Sequence, residues 1–330
     1  KLVVLGGDRR GINLCLCRKT SVFLNGLVYA VYRYCNCRVF YLAQSLSAAA
    51  SSEIEHVTRL CQRLDFFIHC PPLTVRALSH GDSNQSYHVH TAQGDYVLRC
   101  YPAHSTVCRQ QELRCQHAAA AQGLAPAPLC LNNHYQIMLS DYIPDAIAYS
   151  YPQLGIAPLL QLLVPFHLLQ VQTPVLDYSS YLQQLQQAVA KQAELTKPLF
   201  ALLRQAAARL SALPVDEVLC HMDLHQGNLL WAENKLWLLD FEYSQRADSS
   251  LDLAALCLHF KLDTAQQSAL LQQYAQLRQQ PDLLQHLTAK LPAAKVLYAG
   301  FCWLWYLAQP GCQAQAAQWQ LQLQQLQQPL

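Results

Sequence analysis

Charge is scarce in this chain. Lys, Arg, Asp and Glu make up 13% of its 330 residues, against about 25% in an ordinary soluble domain. The 23 basic and 21 acidic residues leave a formal net charge of +2, which makes no electrostatic case for nucleic acid. No basic run with interleaved aromatics occurs either. Methionine is scarcer still: Met138 and Met222 are the only two, and no start residue stands upstream of the patterned region. Long apolar runs are missing from the amino-terminal stretch. Arg33 and Arg38 interrupt residues 21–46, so no run there reaches the roughly 18 residues of a membrane span. The same arginines spoil the compact apolar region of a signal peptide, although Ser47-Ala48-Ala49-Ala50 has the small residues of a cleavage site. Metal-type cysteine spacing is absent too. Cys15-x-Cys17 and Cys35-x-Cys37 have one intervening residue, where zinc sites use about two to four.

What remains is apolar. Hydrophobic residues are 52% of the chain, enough for sizeable cores in the two domains its length suggests. The 14 cysteines are scattered, and Cys100, Cys130, Cys220 and Cys257 sit inside apolar runs. They are expected to be free thiols of a cytoplasmic protein rather than a disulfide framework. Residues 1–50 show no period and no motif, and are expected to be an extension that carries none of the chemistry.

The chemistry concentrates in residues 219–254. His221-Met222-Asp223-Leu224-His225-Gln226-Gly227-Asn228 is followed, after a second apolar run, by Leu238-Leu239-Asp240-Phe241-Glu242-Tyr243 and then Asp252-Leu253-Ala254. A loop with one Asp and one Asn, then a hairpin ending in another Asp, suits magnesium-dependent phosphoryl transfer. Asp223 would accept the proton of an attacking hydroxyl, and Asn228 and Asp240 would hold the metal against ATP phosphates. Mg²⁺ takes hard oxygen ligands and few carboxylates, as this set offers. A zinc cluster of His221, Asp223 and His225 lacks a further ligand at metal spacing. Plain solvation of Asp240, Glu242, Asp248 and Asp252 is hard to reconcile with so few charges crowding one apolar stretch.

These motifs, at this spacing, resemble the aminoglycoside phosphotransferase and choline kinase superfamily. Within it, His-Met-Asp-Leu-His-Gln-Gly-Asn with Asp-Phe-Glu-Tyr is most similar to the bacterial thiamine kinases. The resemblance covers about residues 73–308 and implies an α+β, protein-kinase-like fold in two lobes. Residues 51–140 would form a small antiparallel-sheet lobe that binds nucleotide, 141–146 a hinge, and 147–330 a helical catalytic and acceptor lobe. The cofactors implied are ATP and Mg²⁺. The partner implied is a small-molecule alcohol, cationic by the thiamine likeness, and the protein is expected to be a monomer away from membranes.

Local patterns agree. Strands are expected at 73–78, 87–91 and 96–101, around a loop whose Gly81, Ser83 and Asn84 would cover phosphates as a glycine-rich loop does. That loop has one glycine where relatives often have two or more. Arg99 falls on the third strand, where relatives place a basic phosphate ligand, and a guanidinium can clamp two oxygens. Glu112, on a helix expected over 109–121, either orients Arg99 or is simply solvated. Asp141 and Tyr142 begin the hinge, where backbone groups would meet adenine, and Asp145 stands where relatives usually have Gly. Helices are expected throughout the rest, including 181–203, 206–213, 282–289 and 293–308. His221 is expected to brace the catalytic loop and Asp252 to anchor a helix, neither touching substrate. Glu242, Tyr243 and Trp303 are the expected acceptor contacts, through a carboxylate and aromatic faces. The alternatives are a choline or ethanolamine kinase, an antibiotic-modifying phosphotransferase, and a catalytically silent nucleotide-binding scaffold.

Overall fold

The structure is a computed structural model that describes residues 52–78, 84–102 and 107–326. The chain divides into residues 1–57 and 58–330. Helix α1 (52–61) begins with the described residues, and the expectation for residues 1–50 lies outside them.

The first part of the second unit is a five-stranded antiparallel sheet of order β1-β2-β3-β5-β4. The strands are β1 (Thr74–Ala77), β2 (Gln85–His90), β3 (Asp95–Cys100), β4 (Pro128–Asn132) and β5 (Ile137–Asp141). Alternation on β2 sends Tyr87 and Val89 inward, as a half-buried strand requires. Between β3 and β4 runs α2 (Arg109–Ala121), which matches the expected span. Gly123 ends it at φ +67°, with Gly123 N–H and Leu124 N–H closing on the carbonyls of Ala120 and Ala119. A left-handed residue just past the last turn favours glycine.

After β5 the chain passes Asp145 at φ +54°. Aspartate is among the few residues that accept this conformation, so the turn keeps the shape a glycine would give it. The helical part then comprises α3 (Tyr151–Leu154), α4 (Ala157–His167), α5 (Tyr178–Ala188), α6 (Ala193–Ser211), α7 (Ser250–His259), α8 (Thr264–Leu277), α9 (Leu283–Ala308) and α10 (Gln313–Gln325). Two small β units interrupt it: β6 (Ile147–Ala148) with the hairpin β8 (Leu229–Ala232) and β9 (Lys235–Leu238), and β7 (Glu217–Cys220) with β10 (Gln245–Asp248).

Two helix boundaries differ from expectation. The helix expected over 181–203 breaks at 189–192, because buried Val189 ends one helix and a short 3-10 turn precedes the next, which then runs through 204–205, where a gap before 206–213 was expected. Conversely, α9 runs unbroken through Pro292, where two helices were expected. Proline removes one backbone bond, but buried side chains from Leu283 to Leu304 hold both halves in one line. By length and composition α9 could cross a membrane, yet 61% of its most apolar window is buried inside the protein. It is the core helix. Gly300 lets it approach α6, since a Cβ there would overlap the Leu203 side chain.

Candidate active site

The two loops with the chemistry connect the same two strand pairs, β7/β10 and β8/β9. Between β7 and β8 lies the segment 221–228, and between β9 and β10 lies 239–244, with β7 and β10 paired antiparallel, Cys220 opposite Gln245. Backbone bonds tie the loops together: Leu239 N–H donates to Asn228 O at 3.0 Å, and His221 Nε2 donates to Leu239 O at 2.9 Å. His221 is fully buried. Burial holds its imidazole below the usual histidine range, against the raising effect of Asp252, Asp223 and Asp240. It is neutral, and it braces the loop.

Beneath the loop sits Asp252, on the first turn of α7 and wholly buried. Its Oδ2 accepts from His221 N–H at 2.7 Å and from His167 Nε2 at 3.1 Å, while its Oδ1 accepts from Met222 N–H at 2.9 Å. Met222 is held at φ +67°, a conformation that is costly for a long side chain and is kept only where its surroundings insist. The next residue is Asp223. Its Oδ2 accepts from Asn228 Nδ2 at 2.8 Å, and Asn228 Nδ2 also reaches the Asp223 carbonyl at 2.9 Å. Burial acts to raise the Asp223 carboxyl, but His225, His221 and His259 together carry it below the usual range. Asp223 is ionised at neutral pH.

Asp240, also at positive φ (64°), accepts from Arg99 Nη1 at 2.7 Å. From there a chain of alternating charge crosses to α2. Arg99 Nη1 donates to Glu112 Oε1 at 3.1 Å. Arg109 Nη1 joins Glu112 Oε2 at 2.9 Å to Glu242 Oε2 at 3.0 Å. Burial opposes the charge on Arg99, but Asp240 and Glu112 outweigh it and raise its pKa. Three carboxylates on two guanidiniums leave one negative charge over, balanced well enough to sit in a mostly dry cleft.

Arg99, Glu112, Asp223, Asn228, Asp240, His221 and Asp252 are thus brought together, and Glu112 orients Arg99 rather than being solvated. Asp240 and Asn228 present only oxygen to a metal: with Asn228 Nδ2 donating twice, its Oδ1 is the atom left over. That donor set fits Mg²⁺. A zinc cluster of His221, Asp223 and His225 does not assemble: among the described residues the metal-type ligands that lie close enough together are His167, Cys220 and Asp252 instead. The four acidic residues of the stretch are indeed not solvated: Glu242, Asp248 and Asp252 are buried, Asp240 is half-buried, and Asp248 pairs with buried Lys290.

Two expectations need correction, those for Glu242 and Trp303; three are narrowed, those for Asn84, Asp141 and Tyr142; and two fall outside the described residues, namely Gly81 and Ser83. Asn84 turns inward and donates to Glu242 Oε2 at 3.1 Å, so its side chain does not face phosphates. Glu242 is itself 7% exposed and paired with Arg109, leaving no open carboxylate for a cation. Trp303 is 2% exposed and belongs to the core. Asp141 and Tyr142 spend their N–H groups on Ala127 O and Asp95 O, so of the backbone donors and acceptors expected of this stretch, their donors are taken. Arg109 is the residue that sequence reasoning missed. Its signal was an opposite charge three positions before Glu112 in a chain poor in charge.

Aromatic residues also lie within electrostatic reach of Asp223, namely Tyr181 and Tyr243. Trp305, two residues beyond Trp303, is half-buried and its Nε1 donates to Tyr243 OH at 2.9 Å. Tyr181 of α5 packs edge-on against Phe301 of α9, ring centres 4.8 Å apart. Burial, Cys302 and the Asp223 charge push the Tyr181 phenol up to about 12. Tyr243 is raised likewise, chiefly by burial, with Asp223 among the causes.

A small antiparallel-sheet lobe, a helical lobe, and an Asp/Asn loop beside an Asp hairpin define the kinase-like phosphotransferase class. The chain belongs to the phosphotransferase enzyme family, which it matches over residues 74–285. Solved structures agree in fold. A choline kinase from Streptococcus pneumoniae superposes with a TM-score of 0.68 at 21% identity, over 82% of this chain and 98% of that one. A choline/ethanolamine kinase family protein from Mesorhizobium loti gives 0.67 at 18% identity, over 83% and 95%. The GDP complex of an aminoglycoside 2'-phosphotransferase gives 0.58 at 17%, over 83% and 98%. Comparison with curated proteins finds no match.

Proposed function

We propose that this protein is an ATP-dependent kinase that transfers the γ-phosphoryl group to a small hydroxylated organic cation, thiamine first and choline second. The observation that carries the reading is the convergence of Asp223, Asn228 and Asp240, with Arg99 fixed on Asp240. Asp223 receives the proton of the attacking hydroxyl on the carboxylate oxygen that Asn228 does not hold, and so positions the nucleophile. Asn228 and Asp240 hold Mg²⁺, which when bound neutralises phosphate charge. Arg99, kept charged and oriented by Glu112, meets phosphate oxygens. The hinge segment, nucleotide lobe and acceptor lobe divide the work at about residues 141–146.

Support for a cationic acceptor comes from Tyr181 and Tyr243, within electrostatic reach of Asp223, and from Trp305, bonded to Tyr243. Each ring face offers a cation about 0.5–2 kcal/mol, and Asp223 is the carboxylate at hand now that Glu242 is paired. The choline kinases among the structural neighbours agree with a cation bearing a primary alcohol. The thiamine preference rests on the Asp-Phe-Glu-Tyr and His-Met-Asp-Leu-His likeness. The test is a panel of thiamine, choline, ethanolamine, homoserine and neutral sugars with ATP and Mg²⁺. Turnover of thiamine or choline is expected. Turnover of homoserine or sugars, with both cations inert, would leave a kinase but end the cation reading. Nucleotide-dependent melting shifts without turnover of any alcohol would point to a silent scaffold.

A further inference from the structure

His225 lies two residues after Asp223, and the functions assigned so far do not use it. Its Nδ1 accepts from Gly227 N–H at 3.0 Å. An accepting Nδ1 carries no proton, so in the neutral ring Nε2 is the N–H. That Nε2 stands 3.4 Å from Asp223 Oδ2, the oxygen that Asn228 also holds. The imidazole lies flat against the following backbone: a Cβ on Gly227 would come 2.8 Å from His225 Cε1. A side chain at 227 would displace the ring, and if the ring swings away it gives up its bond to Gly227 N–H at the start of the 3-10 turn Gln226–Asn228. On its far side the ring packs against His259, ring centres 5.5 Å apart. His259 is tethered to Tyr298 OH at 3.1 Å and packed on Trp319.

We propose that His225 is a positioning residue for the base. By directing Nε2–H at Asp223 Oδ2, it shares with Asn228 the task of fixing one carboxylate oxygen, so that the other faces the acceptor hydroxyl. The proposal rests on the reading of Asp223 as the group that meets that hydroxyl. A carboxylate held by one donor rotates more freely about its Cβ–Cγ bond than one held by two. The contact with His259 and the bond to Gly227 N–H hold the ring in place, as such positioning needs.

Two substitutions separate this role from a merely structural one. Asn at 225 places its Oδ1 near the Nδ1 position, keeping the bond to Gly227 N–H while deleting the donor to Asp223. Gln at 225 carries an amide N–H out to the Nε2 position but forfeits the turn bond. Rates are measured with ATP and Mg²⁺ using thiamine, choline and water in turn as acceptor, beside D223N as control. The expected result is a kcat loss of about 10- to 100-fold in H225N, with KM for ATP and the melting temperature unchanged, and recovery of most of the loss in H225Q. H225N at the wild-type rate, or H225Q no better than H225N, overturns the positioning role. D223N at the wild-type rate overturns instead the reading of Asp223 itself. Nitrogen-15 spectra of histidine-labelled protein, with His225 assigned by its absence in H225Q, give a readout free of turnover. They should show Nδ1 bare and Nε2 protonated; the opposite tautomer refutes the proposal.

Discussion

Replacing Asp252 by Asn tests how the catalytic loop is held. The carboxylate accepts three hydrogen bonds in the core: from His221 N–H and His167 Nε2 on one oxygen, and from Met222 N–H on the other. An amide has one accepting oxygen. Placed to keep the two bonds of Oδ2, it faces its NH₂ at Met222 N–H; flipped, it loses both of the others. Either way at least one buried donor goes unpaired, at about 1–3 kcal/mol, and the surviving bonds lose their charge assistance, about 1 kcal/mol more. The total, roughly 2–4 kcal/mol, lowers the melting temperature by about 5–15 °C for a domain of this size. Activity falls further than stability. Once Met222 is released it leaves φ +67°, and a displacement of Asp223 by about 1 Å costs on the order of 100-fold in kcat. Thermal melts with ATP turnover on the same preparation make the assay. A D252N protein that melts within about 1–2 °C of wild type and turns over normally refutes the reasoning.

Glu242→Gln should lower the melting temperature, because Arg109 loses a buried partner worth roughly 1–3 kcal/mol, while KM for the acceptor stays near wild type; a selective rise in acceptor KM would put Glu242 back against substrate. Gly300→Ala forces a methyl into Leu203 and should destabilise by about 1–3 kcal/mol in denaturant titration; an unchanged midpoint would mean that α6 and α9 have slack. His259 is held down to about 4 by burial and by His225, so the unfolded chain binds its proton first as pH falls. The stability it contributes is whole above about 6.5 and is lost between there and about 4; His259→Phe should therefore show a shallower fall of melting temperature across that window than wild type.

Much of this was legible from residue order. The strands of the sheet, α2 and the Asp223/Asn228/Asp240 set follow from period, turn residues and spacing, all of which act locally. What escaped was set by tertiary contact. Pro292 reads as a break, yet buried neighbours on both sides carry α9 through it. Glu242 reads as an open carboxylate because its partner, Arg109, lies 133 residues away in sequence. Trp303 and Trp305 are two apart on one helix, which places them on different faces. Sequence alone does not say which of the two turns to the core, and it was Trp303 that did. Asp145 shows the reverse: a missing glycine left the turn in question, but the residue itself takes the left-handed conformation that glycine favours.

The central claim is that Asp223 serves phosphoryl transfer to an alcohol in a cleft built around Asn228, Asp240 and Arg99. The most direct measurement follows label from γ-labelled ATP into thiamine and choline with wild-type protein and with D223N, and measures ATP affinity in both. The account predicts labelled phosphoester with wild type, a fall of about 100- to 10,000-fold in D223N, and nearly equal ATP binding. Transfer by D223N at close to the wild-type rate would contradict it.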